Sequence, residues 1–321
     1  MGLPASLEGK LRLPLIGAPM FIVSCPELVI EQCRAGIIGS FPALNARPQS
    51  ELENWITRIS HGIEEYRQAH PDEPVAPFAV NQIVHASNSR LAADLEVCVR
   101  HEVPVVITSL RPPAEVVGAV HGYGGLVFHD VISIRHARKA IEQGVDGIIA
   151  VTAGAGGHAG PLSPFALVKE IRREFDGTII LSGAMTSGGD VLAAQAMGAD
   201  LAYMGTRFIA SSEANALAEY KQMVVASSAA DIVYTPYFTG VAGSYLRGSI
   251  ERAGLDPDAL DETPDRQVDF GKREKEDARA WKDIWGAGQG VGNIDRVLGA
   301  REIVMQLERE YRETLAALAA G

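Results

Sequence analysis

One imidazole stands in a loop almost bare of side chains: Thr152-Ala153-Gly154-Ala155-Gly156-Gly157-His158-Ala159-Gly160-Pro161. Bare backbone lets a flat ring system lie against the main chain while His158 projects from it. At its ordinary pKa of about 6.5, a neutral imidazole can take up a proton at physiological pH. The competing reading is a histidine that only hydrogen-bonds its own loop. Two further runs end in small residues. One is Leu181-Ser182-Gly183-Ala184-Met185, followed by Ser187-Gly188-Gly189, and the other is Met204-Gly205-Thr206-Arg207. Backbone N–H groups approach phosphate oxygens only where side chains are absent, and a helix N-terminus behind them favours a dianion. A single such end is as readily close strand–helix packing; the matched pair predicts a phosphate cup.

Other residues are less specific. Asn81 follows Pro77-Phe78-Ala79-Val80, and an amide there can both donate to and accept from a pyrimidine-like edge. His129 and Asp130 are neighbours, but successive strand residues face opposite ways, so they cannot form a dyad and only one can look inward. Ile284-Trp285-Gly286-Ala287-Gly288-Gln289-Gly290-Val291-Gly292 holds more glycine than a turn needs, which predicts a second backbone surface against a planar group. Cys25, Cys33 and Cys98 show no CxxC spacing and no histidines at metal-ligand intervals. They read as small buried residues rather than a zinc site or disulfide framework.

These residues need a scaffold that brings them to one place. Eight apolar runs alternate with helical stretches: Leu15–Met20, Ile37–Leu44, Val75–Ile83, Val103–Leu110, Gly125–Ser133, Gly147–Ala153, Thr178–Met185 and Leu201–Phe208. Most are apolar on both faces, as a parallel sheet covered by helices requires. Amphipathic segments lie between them, including Pro26–Ala35, Ser50–Ala69, Ser89–His101, Ile134–Gln143, Pro164–Phe175 and Gly189–Met197. Gly36, Gly144, Gly177 and Gly198 precede strands where a left-handed helix cap belongs. Eight βα units predict a closed (β/α)8 TIM barrel. An open doubly wound sheet would want a Gly-rich fingerprint after its first strand, and Ile16-Gly17-Ala18-Pro19-Met20 has none. The polar segment 211–282 is read as an inserted, mainly helical lid between the barrel portions 1–210 and 283–321. Helices are expected over Ala214–Ser228 and Glu274–Trp281, with an irregular middle holding Pro236, Gly240, Gly243, Gly248 and Pro257. Tyr234, Tyr237, Phe238 and Tyr245 are candidates to close over a substrate or, equally, to pack the lid on the barrel rim.

With 321 residues, 47% hydrophobic, the chain can bury one barrel of about 250 residues plus this appendage. Its net charge of −11 repels nucleic-acid and anionic lipid surfaces, and no local basic patch offsets it; Lys272–Glu276 mixes both signs like an exposed helix. No basic-then-apolar leader and no membrane-length apolar run is visible, so a cytoplasmic protein is expected.

The combination of Gly17-Ala18-Pro19-Met20, Pro77-Phe78-Ala79-Val80-Asn81, Ala155-Gly156-Gly157-His158-Ala159-Gly160, Ser182-Gly183-Ala184-Met185, Gly198-Ala199-Asp200, Met204-Gly205-Thr206-Arg207-Phe208 and Trp285-Gly286-Ala287-Gly288-Gln289-Gly290 resembles the nitronate monooxygenase family, formerly called 2-nitropropane dioxygenases. Its superfamily includes flavin-dependent enoyl-acyl-carrier-protein reductases and NADH:quinone reductases. The resemblance implies FMN held at its phosphate by Gly183, Ala184, Gly205 and Thr206, with Ser182 and Gly157 nearby. Ala18, Pro19, Met20, Asn81 and the Gly288–Gln289–Gly290 loop would lie along the ring, and His158 would face it as base or as polar anchor. The sequence departs from the family pattern at Asp130, where relatives often carry Gln or Lys, and at Ala184, the usual second glycine of a pair. An anion at Asp130 would disfavour a reduced, anionic flavin.

Two reactions are expected to compete. In one, an alkyl nitronate or propionate 3-nitronate reduces the flavin and O2 reoxidises it. In the other, NAD(P)H reduces it and an enoyl thioester or quinone is the acceptor. A cofactor-free aldolase or isomerase with a sugar phosphate in the cup is the outside alternative. A homodimer is compatible with any of these.

Overall fold

The computed structural model describes residues 2–260 and 283–320. The Lys272–Glu276 run, the helix expected over Glu274–Trp281 and the end of the expected lid fall outside them. Among the described residues, eight parallel strands form one sheet: β1 (Leu15–Gly17), β2 (Gly39–Pro42), β3 (Phe78–Val84), β4 (Val105–Leu110), β5 (Leu126–Val131), β6 (Gly147–Val151), β7 (Thr178–Ser182) and β8 (Leu201–Met204). Their order is β1-β8-β7-β6-β5-β4-β3-β2. A parallel bridge between Ile16 and Ile38 closes the ring, with the Gly17 N–H on the Ile38 carbonyl at 2.8 Å. The fold is the expected TIM barrel.

Alternation decides which residues can reach a site. Ile16, Ala79, Val105, Ile107, Phe128, Ile149, Ile180 and Leu201 point inward and pack together. Their neighbours Leu15, Phe78, Val80, Val106, Val127, Ile148, Ile179 and Ala202 point outward into the helix layer, so both faces are apolar. The helices among the described residues are α1 (Pro26–Arg34), α2 (Glu51–Ala69), α3 (Leu91–Arg100), α4 (Ala114–His121), α5 (Ile134–Glu142), α6 (Pro164–Arg172), α7 (Gly188–Met197), the single turn α8 (Thr206–Ile209), α9 (Ala218–Ala226), α10 (Arg247–Arg252) and α11 (Ala300–Ala320). Pro26 and Pro164 open α1 and α6 at a position where a missing N–H costs nothing. Gly198 ends α7 with φ of +104°, as expected of a left-handed cap. Gly177 is small for another reason: a Cβ there would lie 2.3 Å from the Phe175 ring.

The N-terminal end of the barrel is plugged. Leu3, Leu7 and Leu11 pack on the inward residues, Thr178 Oγ1 donates to the Gly2 carbonyl at 2.7 Å, and the Gly2 N–H donates to Asp200 at 3.0 Å. Among the described residues this leaves the C-terminal end to open into a cavity.

After β8 the chain forms α9, shorter than the helix expected over Ala214–Ser228, and then a β-hairpin where an irregular stretch was expected. Its strands are β9 (Ile232–Thr235) and β10 (Gly243–Leu246). The second strand also pairs antiparallel with the two residues Gly157–His158, which makes a three-stranded sheet over the barrel mouth. Tyr234 donates to the Ala159 carbonyl at 2.8 Å, while Phe238 and Tyr245 are buried with Ile250 and Ile284.

Candidate active site

A cavity of about 750 Å³ opens at the C-terminal ends of the strands. Its wall includes Ala18, Pro19, Met20, Asn81, Gly157, His158, Ser182, Gly183, Ala184, Gly205, Thr206, Gly288 and Gly290, thirteen of the fourteen residues singled out in the sequence. Gln289 is the exception. Its amide N–H donates to the Gly154 carbonyl at 2.9 Å, and its side chain lies over Gly154 rather than in the cavity.

The cup at β7 and β8 is made of backbone. Gly183 has φ of +154°, and a Cβ there would fall 2.3 Å from Thr152 Oγ1 and 2.9 Å from the Ala153 carbonyl. Ala184 follows in the left-handed region at φ +53°, a conformation costing an alanine roughly 1–2 kcal/mol, so the surroundings hold it there. Among the described residues, the amides of Gly183, Met185 and Gly205 reach no protein acceptor. Three donors on one wall of a cavity, with no side chain in front of Gly183 or Gly205, fit an anion of phosphate type.

One expectation is corrected here. The N-terminus of α7 was expected to point its dipole at the phosphate, but carboxylates already fill it. Asp190 Oδ2 accepts from the Thr186 and Ser187 amides at 2.8 Å each, and Glu310 of α11 accepts from the Gly188 amide at 2.8 Å. Gly188 is a packing glycine, since a Cβ there would lie 2.0 Å from the Leu307 carbonyl. The unpaired amides therefore stand on the Gly183–Met185 turn and at Gly205, apart from the α7 N-terminus.

The two glycine-dense loops also owe much of their composition to one another. A Cβ on Gly156 would sit 2.8 Å from the Gly288 nitrogen, one on Gly288 2.6 Å from the Gly154 carbonyl, and one on Gly290 2.6 Å from the Ala184 carbonyl. Backbone lies directly on backbone, and the Gly288 N–H is fixed on Thr206 Oγ1 at 2.8 Å. Both loops still line the cavity, with Trp285 stacked on Tyr220 at 4.8 Å in the wall.

His158 sits at the edge of the hairpin sheet, opposite Gly243. Its Nε2 is 2.9 Å from Thr239 Oγ1, and that hydroxyl is 2.9 Å from the Val241 carbonyl. With the Thr239 proton on Val241, Nε2–H is the donor to Thr239. Burial pushes its pKa down to about 4. Burial thus makes His158 a weaker base than an imidazole of ordinary pKa.

Of the His129–Asp130 pair, Asp130 is the one that lines the cavity. His129 is buried on the outer face with Nδ1 2.8 Å from Thr108 Oγ1, so no dyad forms. Asn81 Nδ2 donates to Ser109 Oγ at 3.0 Å, and Ser109 donates to Asp130 Oδ2 at 2.6 Å. Burial pushes Asp130 up to about 6, with the Ser109 hydrogen bond opposing. Sequence reading passed over Ser109 and Tyr203. Both were available from the two-residue period, since they follow Ile107 and Leu201 on the inward face. Thr239 carried no signal at all. Of the aromatic candidates to close the site, Tyr234, Tyr237, Phe238 and Tyr245 stay out of the cavity wall and pack the hairpin on the rim; Val241 reaches the wall instead. The cysteines are buried thiols, as expected, and burial pushes Cys33 and Cys98 up to about 12. Among the described residues no cluster suits a metal ion, and no helix is long and apolar enough to cross a membrane.

Known proteins resemble this chain throughout. It is 27% identical to a nitronate monooxygenase of Paraburkholderia phytofirmans over 95% of this chain and 94% of that one. It is also 27% identical to (3aS,4S,5R,7aS)-5-hydroxy-7a-methyl-1-oxo-octahydro-1H-indene-4-carboxyl-CoA dehydrogenase of Rhodococcus jostii, over 75% of this chain and 65% of that one. The barrel is shared with a solved nitroalkane oxidase from Streptomyces ansochromogenes, at TM-score 0.81 and 23% identity over 98% and 100% of the two chains. FabK from Thermotoga maritima superposes at TM-score 0.76, with 24% identity over 97% and 96%. The sequence model described as nitronate monooxygenase matches residues 10–310, and the chain belongs to that family of oxidoreductases.

Proposed function

We propose that this protein is an FMN-dependent oxidoreductase that oxidises alkyl nitronates or propionate 3-nitronate with O2. The observation that carries the cofactor is the row of unpaired amides at Gly183, Met185 and Gly205, one cup sized for one terminal phosphate. FMN supplies the electron transfer; the chain supplies binding, orientation and electrostatics. Gly183, Met185 and Gly205 donate to the phosphate, with Ala184 and Thr206 shaping the turn around it. Met20, Asn81 and the Gly288 loop border the ring. His158 anchors the substrate.

The low basicity of His158 favours a substrate that arrives already deprotonated. A base with pKa of about 4 is poorly matched to pulling a proton from a nitroalkane, whereas a nitronate beside the ring raises the imidazole's pKa and gains a donor. The segment after β8 acts as the lid, giving Ala216, Leu217, Tyr220 and Val241 to the cavity wall.

A second reading has its own support. Leu110, Ile132, Leu162, Phe165, Leu217 and Val241 are exposed on the C-terminal face of the barrel, an apolar rim that suits a bulky acceptor such as an enoyl thioester or quinone, with NAD(P)H as donor. Mass spectrometry of the released cofactor tests FMN against FAD. Anaerobic stopped-flow mixing with propionate 3-nitronate, NADH and NADPH then decides the donor. Fast bleaching by the nitronate alone is the expected result; bleaching only by a nicotinamide replaces the first reading with the second.

A further inference from the structure

Among the described residues, two side chains line the cavity and carry a buried polar atom with no hydrogen-bond partner: Oδ1 of Asp130 and the hydroxyl of Tyr203. They point inward from β5 and β8 into the floor, and they are near enough for the carboxyl to hold the Tyr203 proton on more firmly. Each such atom costs about 1–3 kcal/mol unless something polar meets it.

The rest of the Asp130 carboxyl is committed, and in one direction. Asn81 Nδ2 donates to the Ile107 carbonyl at 3.3 Å and to Ser109 Oγ at 3.0 Å. With its lone pair occupied from Asn81, Ser109 gives its only proton to Asp130 Oδ2 at 2.6 Å. Oδ2 is therefore an acceptor, and a proton arriving on this carboxyl belongs on Oδ1, the bare atom. Asn81 and Ser109 bring no charge, so nothing on β3 or β4 at this point balances a carboxylate. The remaining titratable or charged groups in the wall are Arg111, His136, His158 and Tyr220. Burial lowers His136 and His158 and raises Tyr220, which leaves all three neutral around pH 7. His129 lies on the opposite face of the strand.

On the reading that a flavin occupies this cavity, we infer that Asp130 takes up a proton on Oδ1 when the flavin is reduced and releases it on reoxidation. Two electrons and one proton convert the bound oxidised flavin to its reduced anion. A second proton passes from solvent to the carboxylate, so two electrons enter with two protons and no net charge is added to the dry floor. The reductant is the substrate or, in the assay, dithionite or an electrode. Asp130 is thus a positioning residue for charge.

The test is the pH dependence of the flavin midpoint potential in the wild-type holoprotein and in Asp130→Asn, by spectroscopic titration between about pH 7 and pH 9. Two protons per two electrons give a slope of about 59 mV per pH unit, twice the 29.6 mV that a tenfold change is worth in a two-electron couple. The wild type is expected near the larger slope and Asp130→Asn near the smaller. Equal slopes overturn the inference. Should Asp130→Asn lose its flavin, proton uptake by the wild type, followed with an indicator dye while an electrode supplies the two electrons, gives the same answer: two protons per flavin support the inference and one refutes it. A wild-type protein without flavin overturns the reading of the site itself, whereas bound flavin with a single proton overturns only the role of Asp130.

Discussion

Gly205→Asp separates the cup from the fold. Gly205 has φ of −106° and ψ of −62°, open to any residue, and a Cβ there would meet Met20 Sδ at 3.4 Å and Ala18 Cβ at 3.5 Å, ordinary contacts. It is also the N-cap of α8, where aspartate is among the favoured residues. The substitution should leave the stability of the cofactor-free protein, read from urea denaturation, within about 0.5 kcal/mol of wild type. Binding is another matter, because the new carboxylate stands beside the three unpaired amides. At about 5 Å and an effective dielectric of about 20, one pair of like charges costs about 3 kcal/mol, and a phosphate dianion more. FMN affinity should therefore fall by about a hundredfold or more. Fluorescence titration of the deflavinated protein reads this directly, with Gly205→Ala as the control that keeps the space and omits the charge. FMN bound by Gly205→Asp within about threefold of wild type would place the phosphate elsewhere and refute the cup.

Gly188→Ala should behave oppositely: its Cβ would strike the Leu307 carbonyl at 2.0 Å and the Tyr311 nitrogen at 2.3 Å, forcing α7 and α11 apart. A loss of about 2–3 kcal/mol in urea denaturation is expected despite alanine's better helix propensity, while Gly189→Ala, nearest Thr314 Oγ1 at 3.3 Å, should be nearly neutral. For His158, the ring resonances of the cofactor-free protein should report a neutral imidazole down to about pH 4. The sign follows from linkage: the unfolded histidine binds its proton at about pH 6.5 and the folded one only near 4, so its contribution to stability is present above 6.5 and is lost as pH falls through that window. A titration midpoint near 6.5 in the folded protein contradicts the burial described. His158→Ala should retain FMN and lose turnover on nitronates by about ten- to a hundredfold, the worth of one hydrogen bond to a charged group.

Much of the barrel was legible because its signals are local. Runs apolar on both faces, Pro at helix starts and Gly198 at a helix end each report on a few neighbouring residues. The strand ends that line the cavity were legible too, since a barrel brings consecutive strand ends together. What escaped depended on contacts between distant segments. The 232–246 hairpin carries Pro236, Gly240 and Gly243 and reads as loop, yet its second strand is held by Gly157 and His158, far earlier in the chain. Gly188 reads as a phosphate glycine until α11 is seen to lie across it. The Asn81–Ser109–Asp130 chain crosses three strands, and no spacing in the sequence encodes it. His158 was found by its surroundings, but its basicity was set by burial, which composition does not reveal.

The pairing of Gly157–His158 with the hairpin has an evolutionary consequence. The imidazole belongs to the barrel by sequence, but its orientation depends on Thr239 and Gly243, which belong to the appendage. A lineage can therefore reset the surroundings of His158 by lengthening, shortening or replacing residues 232–246 while the eight strands and the turns at Gly183–Met185 and Gly205 drift independently. For a protein engineer the hairpin is a cassette. Grafting it between relatives moves the histidine's setting along with the pocket wall, and leaves the strand-end turns untouched.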